Sequence, residues 1–262
     1  MPSITLDHAT IHYTERGGGQ NCLVLVHGFP LDSRMWDRAL NDPLGNTRVI
    51  TPDLPGFGKS STDRPFTMHS LAEDLSQFLS CINANNCVLG GFSMGGYVAL
   101  AYAKKFPKTL RGLMLIDTRA EADSAEGKEK RNKMIQTVRT SGSRAIAEAM
   151  LPNMVTKEHA SDPSIAKPLS EMMESCSPTT IEYALTAMRE REDQTAFLPS
   201  IAMPTLLVVG EDDAITPKSA AEAMNKAIPR SQLVVIPNAG HVSPMENPQA
   251  VDRAIRQFVA SI

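Results

Sequence analysis

Short apolar stretches alternate with longer amphipathic stretches along most of this chain. The later apolar stretches are nearly continuous in Val, Leu and Ile, which is typical of strands covered on both faces of a parallel sheet. The pattern predicts eight strands, at residues 4–7, 10–14, 22–27, 48–53, 86–92, 110–116, 205–210 and 232–236. Helical patterns lie between them at 67–82, 93–106, 218–227 and 248–261. This alternation predicts an α/β fold, with an open, mostly parallel eight-stranded sheet and helices on both faces.

One part of the chain breaks the alternation. Residues 119–200 contain no convincing strand pattern and instead predict four helices, at 126–139, 144–150, 165–175 and 179–191. The strand pattern resumes at residue 205, so the sheet must continue after this block. We therefore predict a core formed by residues 1–118 and 201–262, with residues 119–200 as a helical subdomain at one edge or over one end of the sheet.

Composition and charge exclude several classes of protein. The 26 basic and 29 acidic residues give a net charge of −3, so there is no basic field to attract nucleic acid or anionic membranes. Apolar stretches such as 22–26 are far shorter than the roughly 20 residues that cross a bilayer. Residues 1–5 alternate like a strand and do not resemble a signal peptide. The four cysteines are scattered, without a C-x-x-C pair, which favours a reducing compartment. We expect a cytoplasmic protein with no nucleic-acid or membrane partner.

The segment Gly91-Phe92-Ser93-Met94-Gly95 matches the G-x-S-x-G pattern. A predicted buried strand ends at this motif, and a helix rich in small residues begins just after the serine. Such a tight strand-to-helix turn strains the serine backbone and exposes its hydroxyl at the carboxyl edge of the sheet. The helix N-terminus also favours developing negative charge there. Ser93 is therefore the candidate nucleophile.

A serine needs a base, and the base needs a group that orients it. His241 follows the last predicted strand in a loop, just past the edge where Ser93 is expected. Asp213 follows the strand at 205–210 and is the candidate orienting carboxylate. The adjacent Asp212 and Asp117, which ends the strand at 110–116, are alternatives that local reasoning leaves open.

An acyl-transfer site also needs two backbone N–H groups that stabilise an oxyanion. Met94 follows the nucleophile directly and supplies one candidate. The other comes from the loop His27-Gly28-Phe29-Pro30, where Phe29 is the candidate because proline has no N–H. His27 is interpreted as a structural residue that shapes this loop.

No cofactor or metal is predicted. Gly58-Lys59-Ser60 resembles the end of a nucleotide-binding loop, but Asp53 occupies the position where that loop requires glycine. The chain has no dinucleotide-binding G-x-G-x-x-G, no H-E-x-x-H and no cysteine–histidine ligand spacing. ATP, nicotinamide and metal chemistry therefore have no support in the sequence.

These motifs together resemble the α/β-hydrolase superfamily along essentially the whole chain. The resemblance rests on 27–30, on Asp53-x-x-Gly56-x-Gly58-x-Ser60, on 91–96, on Gly210-x-x-Asp213-x-x-x-Pro217 and on Gly240-His241. The family order of nucleophile, acid and base is the order of Ser93, Asp213 and His241. The family pattern places the acid three residues after Gly210, which favours Asp213, and it implies that residues 119–200 form a lid.

The resemblance also narrows the chemistry. Ser93 stands where haloalkane dehalogenases and epoxide hydrolases carry aspartate. The serine turn at 91–96 and the loop at 27–32 are similar to those of cofactor-free haloperoxidases and aryl esterases. The lid and residues 241–248 are similar to those of 3-oxoadipate enol-lactonases and small carboxylesterases. These likenesses imply a serine hydrolase, of the carboxylesterase type, that cleaves small carboxylic esters or lactones through an acyl-enzyme. Perhydrolysis, enol-lactonase activity, or a small-molecule receptor with incidental hydrolysis are the alternatives.

Overall fold

The computed structural model describes residues 2–39 and 44–262, and the core of this part is a nine-stranded sheet. Met1 and residues 40–43, which belong to the predicted core, lie outside the described residues. The strands are β1 (Ser3–Thr5), β2 (Ala9–Gly17), β3 (Asn21–Val26), β4 (Thr47–Pro52), β5 (Ser61–Thr62), β6 (Cys87–Phe92), β7 (Leu110–Ile116), β8 (Thr205–Gly210) and β9 (Ser231–Ile236).

The strands run in the order β1-β2-β4-β3-β6-β7-β8-β9, and β5 pairs with β2 outside this path. All pairs from β4 to β9 are parallel, whereas β2 is antiparallel to β1, β4 and β5. The prediction of a mostly parallel sheet of eight strands is confirmed for the main path. The additional strand β5 was missed because two residues, one exposed and one partly buried, carry no hydrophobic periodicity.

The predicted helices between the strands are present with small shifts at their ends. The helices are α1 (Met68–Cys81), α2 (Met94–Lys105), α3 (Ala125–Met154), α4 (Lys157–Ala160), α5 (Pro163–Ser175), α6 (Pro178–Arg189), α7 (Lys218–Ala227), α8 (Ser243–Glu246) and α9 (Pro248–Ala260). Helix α1 begins at a capping box, in which Thr67 and Ser70 each accept the other's backbone N–H. No helix in the described part of the chain is long and apolar enough to cross a membrane.

Helices α3 to α6 lie in residues 119–200, which we call the helical insert. Helix α3 covers the first two predicted helices, and Gly142, with φ of 74°, breaks its regular backbone between them. Helix α4 was not predicted because its four residues are too few for a periodic pattern. As expected, the insert contains no strand.

Apolar side chains cover both faces of the sheet. In β3, Val24 and Val26 belong to one buried cluster, whereas Leu23 and Leu25 belong to the cluster on the other face. This alternation is the pleat of a strand that has helices above and below. The parallel strands bring their carboxyl ends to one edge, where the loops after β6, β7, β8 and β9 lie close together.

Candidate active site

The G-x-S-x-G motif forms a sharp turn between β6 and α2. Ser93 has φ of 51° and ψ of −112°, a left-handed backbone that is unfavourable for a residue with a side chain. The turn is held because the Ser93 N–H donates to the Ile116 carbonyl at 2.9 Å and the Thr118 hydroxyl donates to the Ser93 carbonyl at 2.8 Å. Gly91 is required here, since a methyl group on it would lie 2.1 Å from the Gly95 carbonyl oxygen. The turn leaves the serine partly exposed, as the motif predicts.

The loop after β9 brings His241 to this serine. Nε2 of His241 lies 2.9 Å from Oγ of Ser93, and Nδ1 lies 2.9 Å from Oδ2 of Asp213. The histidine is 2% exposed and its ring packs against Phe92, with centroids 5.1 Å apart. Three residues from distant parts of the sequence thus form one line of hydrogen bonds at the carboxyl edge of the sheet.

The Asp213 carboxylate is held by its own loop. Its Oδ1 accepts the N–H groups of Ile215 and Thr216 at 2.8 and 2.9 Å, and its Oδ2 accepts the Thr216 hydroxyl at 2.6 Å. Burial opposes ionisation, but the charge of His241 and the hydrogen bonds from His241 and Thr216 outweigh it, so the pKa of Asp213 lies below its ordinary value. The carboxylate is therefore both oriented and charged beside the imidazole.

The two alternative carboxylates lie elsewhere. Asp212 is exposed. Asp117 is fully buried, but its Oδ1 accepts the Gly210 N–H at 2.7 Å and its Oδ2 accepts the Ser243 hydroxyl at 2.5 Å. Burial, together with the nearby charge of Asp213, raises the pKa of Asp117 well above its ordinary value. Of the three candidates, Asp213 is the one that hydrogen-bonds His241.

The two candidate oxyanion donors lie in the backbone that follows the serine and in the loop after β3. Met94 is the first residue of α2, so its N–H has no carbonyl partner within the helix. Phe29 precedes Pro30 in a loop that packs closely on the turn, since a methyl group on Gly28 would lie 3.0 Å from Cβ of Ser93. The two candidates therefore belong to the helix start that follows Ser93 and to the loop that packs on the serine turn.

His27 is fully buried, and both ring nitrogens bond to backbone. Nδ1 donates to the Gly28 carbonyl, and Nε2 accepts the Leu54 N–H, both at 2.9 Å. Burial lowers the pKa of His27, so its ring stays neutral. These contacts are those of a residue that shapes the loop, as interpreted from the sequence.

Sequence reasoning missed the residues that support this site. Thr216, Ser243 and Glu246 hydrogen-bond Asp213, Asp117 and the Gly240 backbone respectively. The only feature of the sequence that could have identified these residues is that they lie a few positions from Asp213 or His241. No group of three or more His, Cys, Asp or Glu side chains within 2–39 and 44–262 is arranged to hold a metal ion.

A serine, a buried histidine and a charged aspartate thus form one line of hydrogen bonds at the edge of a parallel sheet that is covered on both faces. The sequence matches the alpha/beta hydrolase family over residues 23–254, and the chain belongs to that family. The resemblance noted from the motifs is therefore confirmed.

Several known proteins are similar over nearly the whole chain. A thermophilic esterase from Thermogutta terrifontis, solved with malate bound, is 39% identical and covers 100% of this chain and 99% of its own, with a TM-score of 0.94. The pimeloyl-[acyl-carrier protein] methyl ester esterase of Neisseria meningitidis is 30% identical, over 90% of this chain and 91% of its own length. An enol-lactonase from Burkholderia xenovorans LB400 shares the fold, with a TM-score of 0.92 at 22% identity over 99% of this chain and 100% of its own.

Proposed function

We propose that this protein is a serine hydrolase that cleaves small carboxylic esters or lactones through an acyl-enzyme. The observation that carries the proposal is the line of hydrogen bonds from Ser93 through His241 to Asp213. In this mechanism Nε2 of His241 takes the proton of Ser93 as Oγ attacks the ester carbonyl, and it then protonates the leaving alcohol. Asp213 holds the ring in the required tautomer and stabilises the imidazolium.

The tetrahedral intermediate needs donors for its negative oxygen. The N–H groups of Phe29 and Met94 fill this role, and each such donor is worth about 3 kcal/mol in the transition state. The second half of the reaction repeats the first with water as the nucleophile: His241 takes a proton from water, the hydroxide attacks the acyl carbonyl, and Oγ leaves with the proton. No metal or cofactor takes part in this scheme.

In this proposal the helical insert is the lid, and residues 1–118 and 201–262 form the catalytic core. The chain from Met154 to Thr156 in the insert contacts the loop that carries His241, which supports a place above the site. Two relatives named as esterases, at 39% and 30% identity, favour ester substrates.

Hydrolysis of p-nitrophenyl butyrate tests the proposal directly. Ser93→Ala should lower turnover by about 10⁴–10⁶-fold, because it removes the nucleophile. A fluorophosphonate probe should label wild type at Ser93 and leave the variant unlabelled. Ser80→Ala, on the exposed face of α1, is the matched control and should keep wild-type turnover. Equal rates for Ser93→Ala and wild type, or labelling at another serine, would contradict the proposal.

A substrate panel then separates esters from lactones. Linear esters of increasing acyl length are compared with lactones of increasing ring size, and kcat/KM ranks transition-state binding for each. Dependence on added peroxide tests perhydrolysis in the same assay.

A further inference from the structure

A buried carboxylate joins the loop of His241 to the helical insert. Glu246 is the last residue of α8, and its side chain has no exposed surface. Its Oε1 accepts the Gly240 N–H at 2.8 Å. Its Oε2 accepts the Thr156 N–H at 2.8 Å and lies 2.8 Å from Nδ1 of His159. Groups about 90 residues apart in sequence therefore meet on one side chain, directly beside His241.

The backbone on the other side of His241 is bound to the insert as well. The Val242 N–H donates to the Met154 carbonyl at 3.0 Å. Gly240 is in close contact, since a methyl group on it would lie 3.0 Å from the Val155 carbonyl carbon and 3.1 Å from the Thr156 nitrogen. Both neighbours of His241 are thus held by the same short segment of the insert.

The chemistry of this contact makes it strong. Three groups converge on one carboxyl group, so the loop and the insert cannot separate without losing several hydrogen bonds at once. A buried carboxylate that lost its donors would keep a desolvation cost without compensation, so the donors and Glu246 stay together. Asp213 orients the imidazole ring, whereas Glu246 holds the backbone that carries the ring. The two acids therefore act on different parts of the same residue.

We propose that Glu246 is a positioning residue for the hydrolytic reaction: it ties the His241 backbone to residues 154–159 of the insert, so that the insert sets the distance between Nε2 and Ser93. This inference rests on the proposed function, because it takes His241 as the base. It accounts for a fully buried acid that makes no contact with the reacting groups. It also gives the insert a part in catalysis that does not depend on touching substrate.

Glu246→Gln tests the proposal with almost no change in volume. The amide presents an NH₂ group to one of the donors, so the loop should shift away from the insert. We expect kcat for p-nitrophenyl butyrate to fall by about 10–100-fold, the size of effect that a misplacement of about 1 Å produces. KM should change by less than about threefold, since no substrate contact is removed. The rate of fluorophosphonate labelling should fall by the same factor as kcat.

Two substitutions of His159, on the partly exposed side of the contact, should lower kcat less than Glu246→Gln does. His159→Ala removes one partner of Glu246 and should lower kcat by about 2–10-fold, whereas His159→Asn keeps a donor near the position of Nδ1 and should restore most of the rate. This pair also serves if Glu246→Gln does not fold. Glu158→Gln, on the exposed face of α4, is the matched control and should behave as wild type.

The outcomes separate the two proposals. Absence of labelling in wild type removes the proposed function, and this inference with it. If wild type is labelled at Ser93 while Glu246→Gln is labelled equally fast, only the positioning role is wrong. A lower melting temperature with unchanged kcat per labelled site would likewise show that Glu246 contributes to folding alone.

Discussion

The carboxyl group of Asp117 lies 2.5 Å from the hydroxyl of Ser243, two residues beyond His241. Its second oxygen accepts the Gly210 N–H at 2.7 Å, at the end of β8. Asp117 therefore joins the ends of two strands to the histidine loop and makes its hydrogen bonds away from the imidazole. Asp117 and Asp213 are both buried, and of this pair only Asp213 hydrogen-bonds the imidazole ring of His241.

Because only Asp213 hydrogen-bonds the imidazole, replacing each acid by asparagine should lower ester turnover to very different extents. Asp213→Asn removes the charge and favours the wrong tautomer of His241, so ester turnover should fall by about 10⁴-fold. Asp117→Asn can still accept the Gly210 N–H and donate to Ser243, so the loss should stay below about tenfold, the upper range for one neutral hydrogen bond. Steady-state kinetics of the two variants check this. If turnover fell further in Asp117→Asn than in Asp213→Asn, Asp117 and not Asp213 would be the acid that orients His241.

Asp117 also predicts a pH dependence of stability. Its raised pKa means that the folded chain retains a proton that the unfolded chain releases. Between the ordinary and the raised pKa, the free energy of unfolding of wild type should therefore fall with rising pH, by up to about 1.4 kcal/mol per pH unit from this group. Asp117→Asn does not titrate and should lack this contribution. The variant should gain stability relative to wild type as pH rises above the ordinary pKa of an aspartate carboxyl group.

Urea unfolding at a series of pH values measures this difference. Asp63→Asn removes an exposed carboxylate and is the control. A constant difference between wild type and Asp117→Asn across the series would show that Asp117 does not titrate differently in the two states.

The serine turn predicts a strong effect at Gly91. A methyl group there would meet the Gly95 backbone at 2.1 Å, which no side-chain movement relieves. Gly91→Ala should lower the free energy of unfolding by roughly 1–3 kcal/mol or more and displace Ser93. Gly18→Ala is the control, because nothing lies within 4 Å of the added methyl. Urea unfolding and ester turnover are measured on both; equal stability would mean that the turn accommodates a side chain.

The four free cysteines should differ in reactivity. Cys81 is exposed, whereas burial raises the pKa of Cys22 to about 11 and of Cys176 to about 12, and that of Cys87 still further. Because the thiolate is the reactive form, a disulfide reagent at mildly alkaline pH should modify one thiol per native chain and four per unfolded chain. Rapid modification of a second thiol in the native state would show that a buried position opens.

Much of the fold could be predicted from local sequence patterns, because buried strands leave a clear hydrophobic signature. A strand buried on both faces is almost entirely apolar, so β6, the part of β7 after Arg111, and β8 stand out as short continuous runs. The serine turn was equally accessible, because Gly91 is required by its contact with Gly95, only four residues further along the chain. Elements without such local requirements, such as β5 and α4, were missed.

The hydrogen-bond partners of the buried acidic side chains could not be predicted from local sequence. Local reasoning left Asp117, Asp212 and Asp213 open, since all three lie at the ends of strands and the direction of a side chain there depends on how the loop turns. Nothing near Glu246 in the sequence indicates that its donors include Thr156. Regular structure follows from neighbours along the chain, whereas the pairing of buried charges depends on loops that meet only after the sheet has assembled.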